Sequence, residues 1–164
     1  MVWKVGTGDP YVLLASLLVE AGGVEPLPRI ERTEKGKPYF PDRPDLHFSL
    51  SRLGSLSLCV LGPAPVGGDI ELVRPRSERL PRYVLSDREY TWFAARGSQW
   101  EDFYTLWTLK EARVKRTGEG IFRRPAREVA APLMEPGTRL VWEGARFAAL
   151  GGEGWRGALC WEDK

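Results

Sequence analysis

The hydrophobic pattern over residues 103–115 is that of a long helix. At about 100° per residue, its large apolar side chains fall on one stripe. They are Phe103, Leu106, Trp107 and Val114. Lys110 and Glu111 project within or beside this stripe, and an ionised group among aromatic side chains is costly unless a partner or a metal compensates it. The pattern therefore predicts something positive near Glu111, and an ordinary surface ion pair with Lys115, one turn later, is the alternative.

Alternating apolar and polar runs predict strands on both sides of that helix. The predicted strands are residues 2–5, 29–32, 46–51, 55–61 and 66–71 before it, and an antiparallel meander of 139–143, 146–150 and 155–161 after it. Two further helices are predicted over residues 11–21 and 86–95. The predicted N-caps of the three helices are Asp9, Ser86 and Ser98. The Arg- and Pro-rich stretch 72–80 separates two halves of mixed helix and strand.

Asp69 and Glu71 are one residue apart on a predicted strand. Both carboxylates therefore point to the same side, about 7 Å from each other. Two like charges at this spacing gain nothing structurally unless a cation lies between them. Mg²⁺ typically takes one or two protein carboxylates and completes its shell with phosphate oxygens and water. Together with Glu111, the pair predicts a three-carboxylate Mg²⁺ site.

Two polar stretches are candidates for binding an anion. In loop 34–41, Lys37 and a second lysine flank a glycine on a stiff turn that ends in proline. At the end of the next strand, Ser49, Ser51 and Arg52 cluster hydrogen-bond donors. A solvated turn is the alternative interpretation of both stretches.

Composition narrows the function classes. The chain of 164 residues is 43% hydrophobic and can bury a core, and its formal net charge of +2 does not by itself indicate a nucleic-acid partner. A basic cluster at Arg123, Arg124 and Arg127 leaves a small nucleic-acid-binding domain as one hypothesis, but that hypothesis does not explain the carboxylates. No apolar run is long enough to span a membrane and the N-terminus lacks the order of a signal peptide, so we expect a cytoplasmic protein.

The few histidines and cysteines argue against a His-assisted nucleophile and a His-rich zinc site. His47 is the only histidine, which leaves little material for a His-assisted nucleophile or a His-rich zinc site. Cys59 and Cys160 lie in strand-like apolar runs, where we expect them to pack as small hydrophobic side chains.

Four segments occur in an order typical of a known family: residues 36–38, 47–54, 67–71 and 103–115. The third reads Gly-Gly-Asp-Ile-Glu, and the fourth contains the run Lys-Glu-Ala. Together they resemble the surfactin-synthetase-type 4′-phosphopantetheinyl transferases, and the Ser-x-x-Glu segment at 86–89 fits between them. The likeness covers roughly residues 30 to 122.

The resemblance implies both a fold and an activity. The fold is α+β, with two similar α/β halves related by a pseudo-twofold axis, residues 1–74 and 75–164, and the active site in the cleft between them. The activity is Mg²⁺-dependent transfer of 4′-phosphopantetheine from coenzyme A to a serine of an apo acyl or peptidyl carrier protein, releasing adenosine 3′,5′-bisphosphate. Two halves in one chain make a monomer the expectation.

The resemblance also implies roles in catalysis. Asp69, Glu71 and Glu111 match the carboxylates that hold Mg²⁺ on the pyrophosphate. Lys115 is similar to the lysine that meets the pyrophosphate and the departing phosphate. Glu89 resembles the carboxylate that some members use as base toward the carrier serine, although its spacing from the preceding N-cap equally fits a capping box.

For the nucleotide, Lys37, Ser51 and Arg52 match positions that grip the 3′-phosphate in the family. The second motif departs from the family's Asn-x-Ser-His-Ser-Gly: Ser49 replaces the asparagine, Arg52 the histidine and Leu53 the second serine. A catalytically degenerate module of the same fold that binds coenzyme A or its nucleotide is therefore the alternative function.

Carrier-protein helices are acidic, so the resemblance implies a basic rim beside the cleft. The candidates for that surface are Arg113, Arg116 and residues 122–124.

Overall fold

The computed structural model describes residues 1–119 and 125–162. Within them, the helices are α1 Pro10–Gly22, α2 Leu80–Val84, α3 Asp87–Ala95 and α4 Trp100–Thr117, with a short 3₁₀ turn at Ala126–Glu128. The strands are β1 Val2–Thr7, β2 Glu31–Arg32, β3 Pro38–Tyr39, β4 His47–Leu53, β5 Leu56–Gly62, β6 Val66–Leu72, β7 Arg139–Trp142, β8 Ala145–Gly152 and β9 Trp155–Glu162. The mixed α/β class predicted from the sequence is confirmed.

The first sheet has the order β1-β5-β4, with both pairings antiparallel. Helix α1 packs on it and begins as predicted, because the Asp9 side chain accepts a hydrogen bond from the Tyr11 backbone N–H. It ends where Gly23 adopts a left-handed φ of 66°. Buried Leu14, Leu18, Phe48 and other side chains fill the core between helix and sheet.

The second sheet has the order β6-β9-β8-β7 and is antiparallel throughout, so the predicted C-terminal meander is confirmed. By hydrogen bonding, β6 lies in this sheet and not in the first one. Helix α4 lies across β6 and β9. The predicted boundary at residue 74 and the pseudo-twofold relation between two halves stay predictions.

Gly67 explains how close α4 comes to β6. A Cβ atom at this position would lie 1.9 Å from the Ala112 carbonyl oxygen and 2.4 Å from the Arg116 backbone nitrogen. No side chain fits there, so the missing Cβ permits direct contact between helix and strand backbones. This contact brings residues 111–115 over the strand that carries Asp69.

The two sheets meet along a seam between β4 and β6 that has no backbone ladder. The β6 groups that face away from β9 bond instead to side chains of the N-terminal part of the chain. Ser49 Oγ accepts from the Gly68 N–H at 3.0 Å, and Ser51 Oγ accepts from the Ile70 N–H at 3.3 Å. The serines thereby satisfy donors on a strand edge that would otherwise stay unpaired.

The N-terminus of α4 differs from the sequence prediction. Ser98 was predicted as N-cap, but it adopts a left-handed φ of 55° and its N–H bonds to the Phe93 carbonyl. Gln99 takes the N-cap position, without a side-chain capping bond. The prediction was wrong because Gly97 and Ser98 together close the preceding helix, and α4 starts only at Trp100.

None of the helices in the described residues is long and apolar enough to cross a membrane. Cys59 and Cys160 are free and fully buried, each in the interior of a strand. Burial raises the pKa of Cys59 to about 12 and that of Cys160 to about 11, as expected of cysteines that pack as small apolar side chains.

Candidate active site

Three carboxylates meet between β6 and α4. Asp69 and Glu71 point from β6 toward the helix, on the same face as Gly67, because side chains alternate along a strand. Glu111 faces them from α4 and interacts electrostatically with both. Asp69 and Glu111 are buried, with 4% and 9% of their surface exposed, and Glu71 is half-buried.

Asp69 has well-defined partners on one oxygen alone. Its Oδ1 accepts from Lys115 Nζ at 2.7 Å and from Ser51 Oγ at 2.8 Å. Its Oδ2 is buried and has no hydrogen-bond partner. A buried carboxylate oxygen without a partner is costly, so this atom is suited to a ligand that supplies positive charge.

The electrostatics of the cluster favour an added cation. Burial, and next the charge of Asp69, raises the pKa of Glu111 to about 7, while Lys115 opposes the shift. Burial, and next the charge of Asp69, also raises the pKa of Glu71, while Lys115 and Arg74 oppose the shift. Lys115 therefore does not offset the burial of Glu111 and Glu71, and a further positive charge nearby would favour their ionised forms.

The donor set fits a hard divalent cation. Carboxylate oxygens are the ligands that Mg²⁺ takes from proteins, and Asp69 has one oxygen, Oδ2, that is buried without a partner. Among the described residues, however, no group of three or more His, Cys, Asp or Glu side chains stands ready-arranged to hold a metal ion. In the structure Lys115 supplies the positive charge at Asp69 instead.

A cavity of about 580 Å³ has none of these three carboxylates among its lining residues. Lys115 lines it, so this residue connects the cavity to Asp69. Apolar side chains of α1, β4 and α4 form part of its wall, and cationic side chains outnumber carboxylates among its lining residues. The five cations are Arg32, Lys35, Lys37, Arg52 and Lys115. A cavity of this size and charge suits a multiply phosphorylated ligand with an apolar portion.

The predicted nucleotide-binding residues have three different environments. Arg52 is exposed at the cavity, where its Nε donates to the Gly54 carbonyl. Lys37 also lines the cavity, but its Nζ donates to the carbonyls of Arg116 at 2.6 Å and Val66 at 3.3 Å. Burial chiefly, with the charge of Arg116, lowers the pKa of Lys37 to about 8. Ser51 faces Asp69, and Arg52 is thus the predicted phosphate ligand that is best placed for that role.

Glu89 does not join the carboxylate cluster. It is 1% exposed, and its Oε2 accepts from the Ser86 backbone N–H and pairs with Lys110 Nζ at 2.6 Å. Its Oε1 accepts from the Ala131 N–H. The predicted role as base is not supported by this position, because a carboxylate bonded on both oxygens and closed to solvent cannot reach a substrate hydroxyl. The capping-box interpretation is confirmed.

Lys110 was left without a partner by the sequence pattern. Its Nζ contacts Glu89 and donates to the carbonyls of Val84 and Ala126. These bonds connect α4 to α3, to α2 and to the 3₁₀ turn that follows α4 in the chain. The helical spacing indicated that Lys110 is buried. It gave no signal that the partner lies 21 residues earlier on another helix.

The residues predicted to form the basic rim have different environments, and some of them lie outside the described residues. Arg113 donates to the Ala130 carbonyl and to Glu143, and its guanidinium lies over Trp142. The buried Nε of Arg116 has no hydrogen-bond partner. Residues 122–124, and with them Arg123 and Arg124 of the basic cluster, lie outside the described residues. Arg127 pairs with Asp87.

Comparison with known proteins shows which family the chain resembles. A family model described as the 4′-phosphopantetheinyl transferase superfamily matches residues 65–142, a span that contains Asp69, Glu71, Glu111 and Lys115. Over this span, just under half of the chain, the sequence is similar to that superfamily. The resemblance drawn from the sequence motifs is thereby confirmed.

Individual members of the superfamily align with the chain at moderate identity. The 4′-phosphopantetheinyl transferase Sfp of Bacillus subtilis is 37% identical over 95 residues, which are 57% of this chain and 42% of Sfp. The transferase HetI of Nostoc sp. is 34% identical over 133 residues, 76% of this chain and 56% of HetI. The transferase AcpT of Escherichia coli K12 is 39% identical over 100 residues, 58% and 51% of the two chains. The chain thus spans about half the length of the curated relatives it matches.

Proposed function

We propose that this protein is a 4′-phosphopantetheinyl transferase that modifies a serine of an apo acyl or peptidyl carrier protein. The observation that carries the proposal is the grouping of Asp69, Glu71 and Glu111 with Lys115, a residue that also lines a cationic cavity. The similarity to proteins named 4′-phosphopantetheinyl transferase supports it. Coenzyme A is the proposed donor, because it combines phosphates with an adenosine and an extended pantetheine arm.

In the proposed reaction, the serine oxygen forms a bond to the phosphorus that carries pantetheine. The pyrophosphate P–O bond breaks, and adenosine 3′,5′-bisphosphate leaves with the electron pair. Asp69, Glu71 and Glu111 would hold Mg²⁺, which supplies Lewis-acid stabilisation of charge on the phosphates. Lys115 bonds to Asp69 and lines the cavity, and its ammonium would stabilise the negative charge that develops on the leaving phosphate.

The serine proton needs an acceptor other than Glu89. Glu89 is enclosed and holds Lys110, so we propose that the proton passes to a carboxylate of the cluster. Glu71 is the least buried of the three and is the best placed for exchange with solvent.

The cavity residues divide between binding and architecture. Arg52 provides a guanidinium for the 3′-phosphate in place of the histidine usual at this position in the family.

We propose that the chain has two halves, which meet at the seam between β4 and β6, and that it is a monomer that encloses one site. We also propose a cytoplasmic location, where cysteines such as Cys59 and Cys160 stay reduced.

Intact-mass analysis of apo carrier proteins tests the activity. Incubation with the protein, coenzyme A and Mg²⁺ should add one phosphopantetheine to at least one carrier from a panel of fatty-acid, polyketide and nonribosomal-peptide pathways. Glu111→Gln should abolish the addition, whereas Glu101→Gln, an exposed carboxylate at the start of the same helix, should retain it. Absence of modification across the panel refutes the transferase.

A binding module without turnover is the second candidate. It is favoured by one observation: Lys37 and Ser51, both expected at the nucleotide, bond instead to protein groups. Calorimetry with adenosine 3′,5′-bisphosphate, combined with the carrier assay, identifies the module, because the module binds the nucleotide and leaves every carrier unmodified. Restored activity in Arg52→His would show that the departure at this position removed the chemistry.

A further inference from the structure

The edge of β6 contains two nearly equivalent contacts that differ in one respect. Ser49 and Ser51 lie two residues apart on β4 and point to the same side, each accepting a hydrogen bond from a β6 backbone N–H. Ser51 also donates its own proton, to Asp69 Oδ1 at 2.8 Å. Of the two hydroxyls, that of Ser51 therefore links the backbone seam to a carboxylate of the candidate site.

This link fixes the orientation of Asp69. A carboxylate turns easily about its last side-chain bond unless a partner holds it. Ser51 Oγ and Lys115 Nζ both bond to Oδ1, which leaves the buried Oδ2 as the oxygen without a partner. Ser51 is itself held by the Ile70 N–H and is 9% exposed, so its hydroxyl has a defined position.

The position of Ser51 also argues against direct contact with a nucleotide. Among the described residues of β4, those that line the cavity are Phe48, Ser49, Leu50 and Arg52. The donor capacity of the Ser51 hydroxyl is one proton, and Asp69 takes it. A phosphate would have to displace that bond to gain one from Ser51.

We infer that Ser51 is a positioning residue that orients Asp69 toward the divalent cation, and not a ligand of the nucleotide phosphate. The inference rests on the proposed function, since it names what one residue does for that site. Partners that orient metal-binding carboxylates contribute substantially to metal affinity, and their removal typically costs about 10- to 100-fold.

Calorimetric measurement of Mn²⁺ binding to the substrate-free protein tests the inference without any catalytic turnover. Ser51→Ala should weaken Mn²⁺ binding by about 10- to 100-fold. Ser49→Ala is the matched control, because it also removes a hydroxyl that accepts a β6 N–H but that, among the described residues, donates to no carboxylate. Ser49→Ala should leave Mn²⁺ affinity unchanged, and Ser51→Thr, which keeps a hydroxyl, should recover most of the lost affinity.

Nucleotide binding provides the opposing readout. The preference of the protein for adenosine 3′,5′-bisphosphate over adenosine 5′-monophosphate should be the same in Ser51→Ala as in the wild type, because Ser51 does not contact the 3′-phosphate. If Ser51→Ala loses part of that preference while its Mn²⁺ affinity is unchanged, the inference is overturned and the cation site stays intact. Absence of Mn²⁺ binding by the wild-type protein refutes the cation site itself, and with it the inference.

Discussion

Glu111 makes the stability of the metal-free protein depend on pH. Its pKa in the folded state is about 7, against an ordinary value of 4.5, chiefly because the carboxyl is buried and next because Asp69 is close. Between about pH 4.5 and pH 7, the Glu111 carboxyl therefore retains a proton in the folded state that it has released in the unfolded state. The stabilisation is fully present below about pH 4.5 and is lost as the pH rises through 7. At about 1.4 kcal/mol per pKa unit, the loss from this one group is about 3 kcal/mol.

Urea unfolding in the presence of a chelator, at pH values from about 5 to about 8, measures this loss. Glu111→Gln places a neutral group of the same shape in the same site and does not titrate. The variant should therefore be more stable than the wild type at pH 8, by up to about 3 kcal/mol, and should approach it at pH 5. Glu78→Gln, an exposed loop carboxylate, is the control and should follow the wild type at each pH.

A divalent cation should reverse the difference. Mn²⁺ at pH 8 should stabilise the wild type and leave Glu111→Gln nearly unaffected, because a ligand that binds only the folded state adds to its stability. The reasoning is refuted if Glu111→Gln destabilises the chelated protein at pH 8 as much as at pH 5. That result would mean that Glu111 is ionised and well paired without a metal.

Three further tests by substitution concern the packing and the cavity. Gly67→Ala should destabilise by about 3 kcal/mol or more, since its Cβ would meet a backbone oxygen of α4, and a thermal unfolding midpoint like that of the wild type would contradict the helix–strand contact. Lys110→Met should cost about 3–5 kcal/mol in urea unfolding because it leaves Glu89 buried without its ion pair, and adding Glu89→Leu should recover most of that cost; a double variant less stable than the single one counts against it. Arg52→Ala should weaken binding of adenosine 3′,5′-bisphosphate about tenfold in calorimetry without lowering the free energy of unfolding. Lys37→Met should instead lower the free energy of unfolding by about 2 kcal/mol, because Lys37 Nζ donates to two backbone carbonyls. If Lys37→Met weakens nucleotide binding and Arg52→Ala lowers stability, Lys37 is the phosphate ligand.

Much of the fold follows from local patterns in the sequence. The alternation in β4, β5 and β6 and the helical period of α4 were sufficient to predict these elements, because each buries one face. The short helix α2 was not predicted: it contains Pro81 in an Arg-rich stretch and has no apolar periodicity long enough to detect. The cap of α4 was assigned to Ser98 because sequence alone does not reveal a left-handed residue that closes the helix before it.

The carboxylates of the candidate site were found because their pattern conflicts with ordinary packing. Like charges on one strand face at Asp69 and Glu71, and Glu111 among aromatic residues, both need an explanation that a surface position does not provide. The partners of polar side chains are harder to predict. Lys37 bonds to a carbonyl 79 residues later, and the alternation of β4 places Ser51 on the side of Ser49 without showing that this side faces Asp69.

A crystal structure with Mn²⁺ and adenosine 3′,5′-bisphosphate, using the anomalous scattering of manganese, tests the central claim most directly. The account predicts one manganese peak bonded to oxygens of Asp69, Glu71 and Glu111, with a phosphate of the nucleotide beside it and the adenosine in the cavity next to Arg52. A manganese ion bound elsewhere, or one at this position without Glu111 in its coordination shell, would contradict it.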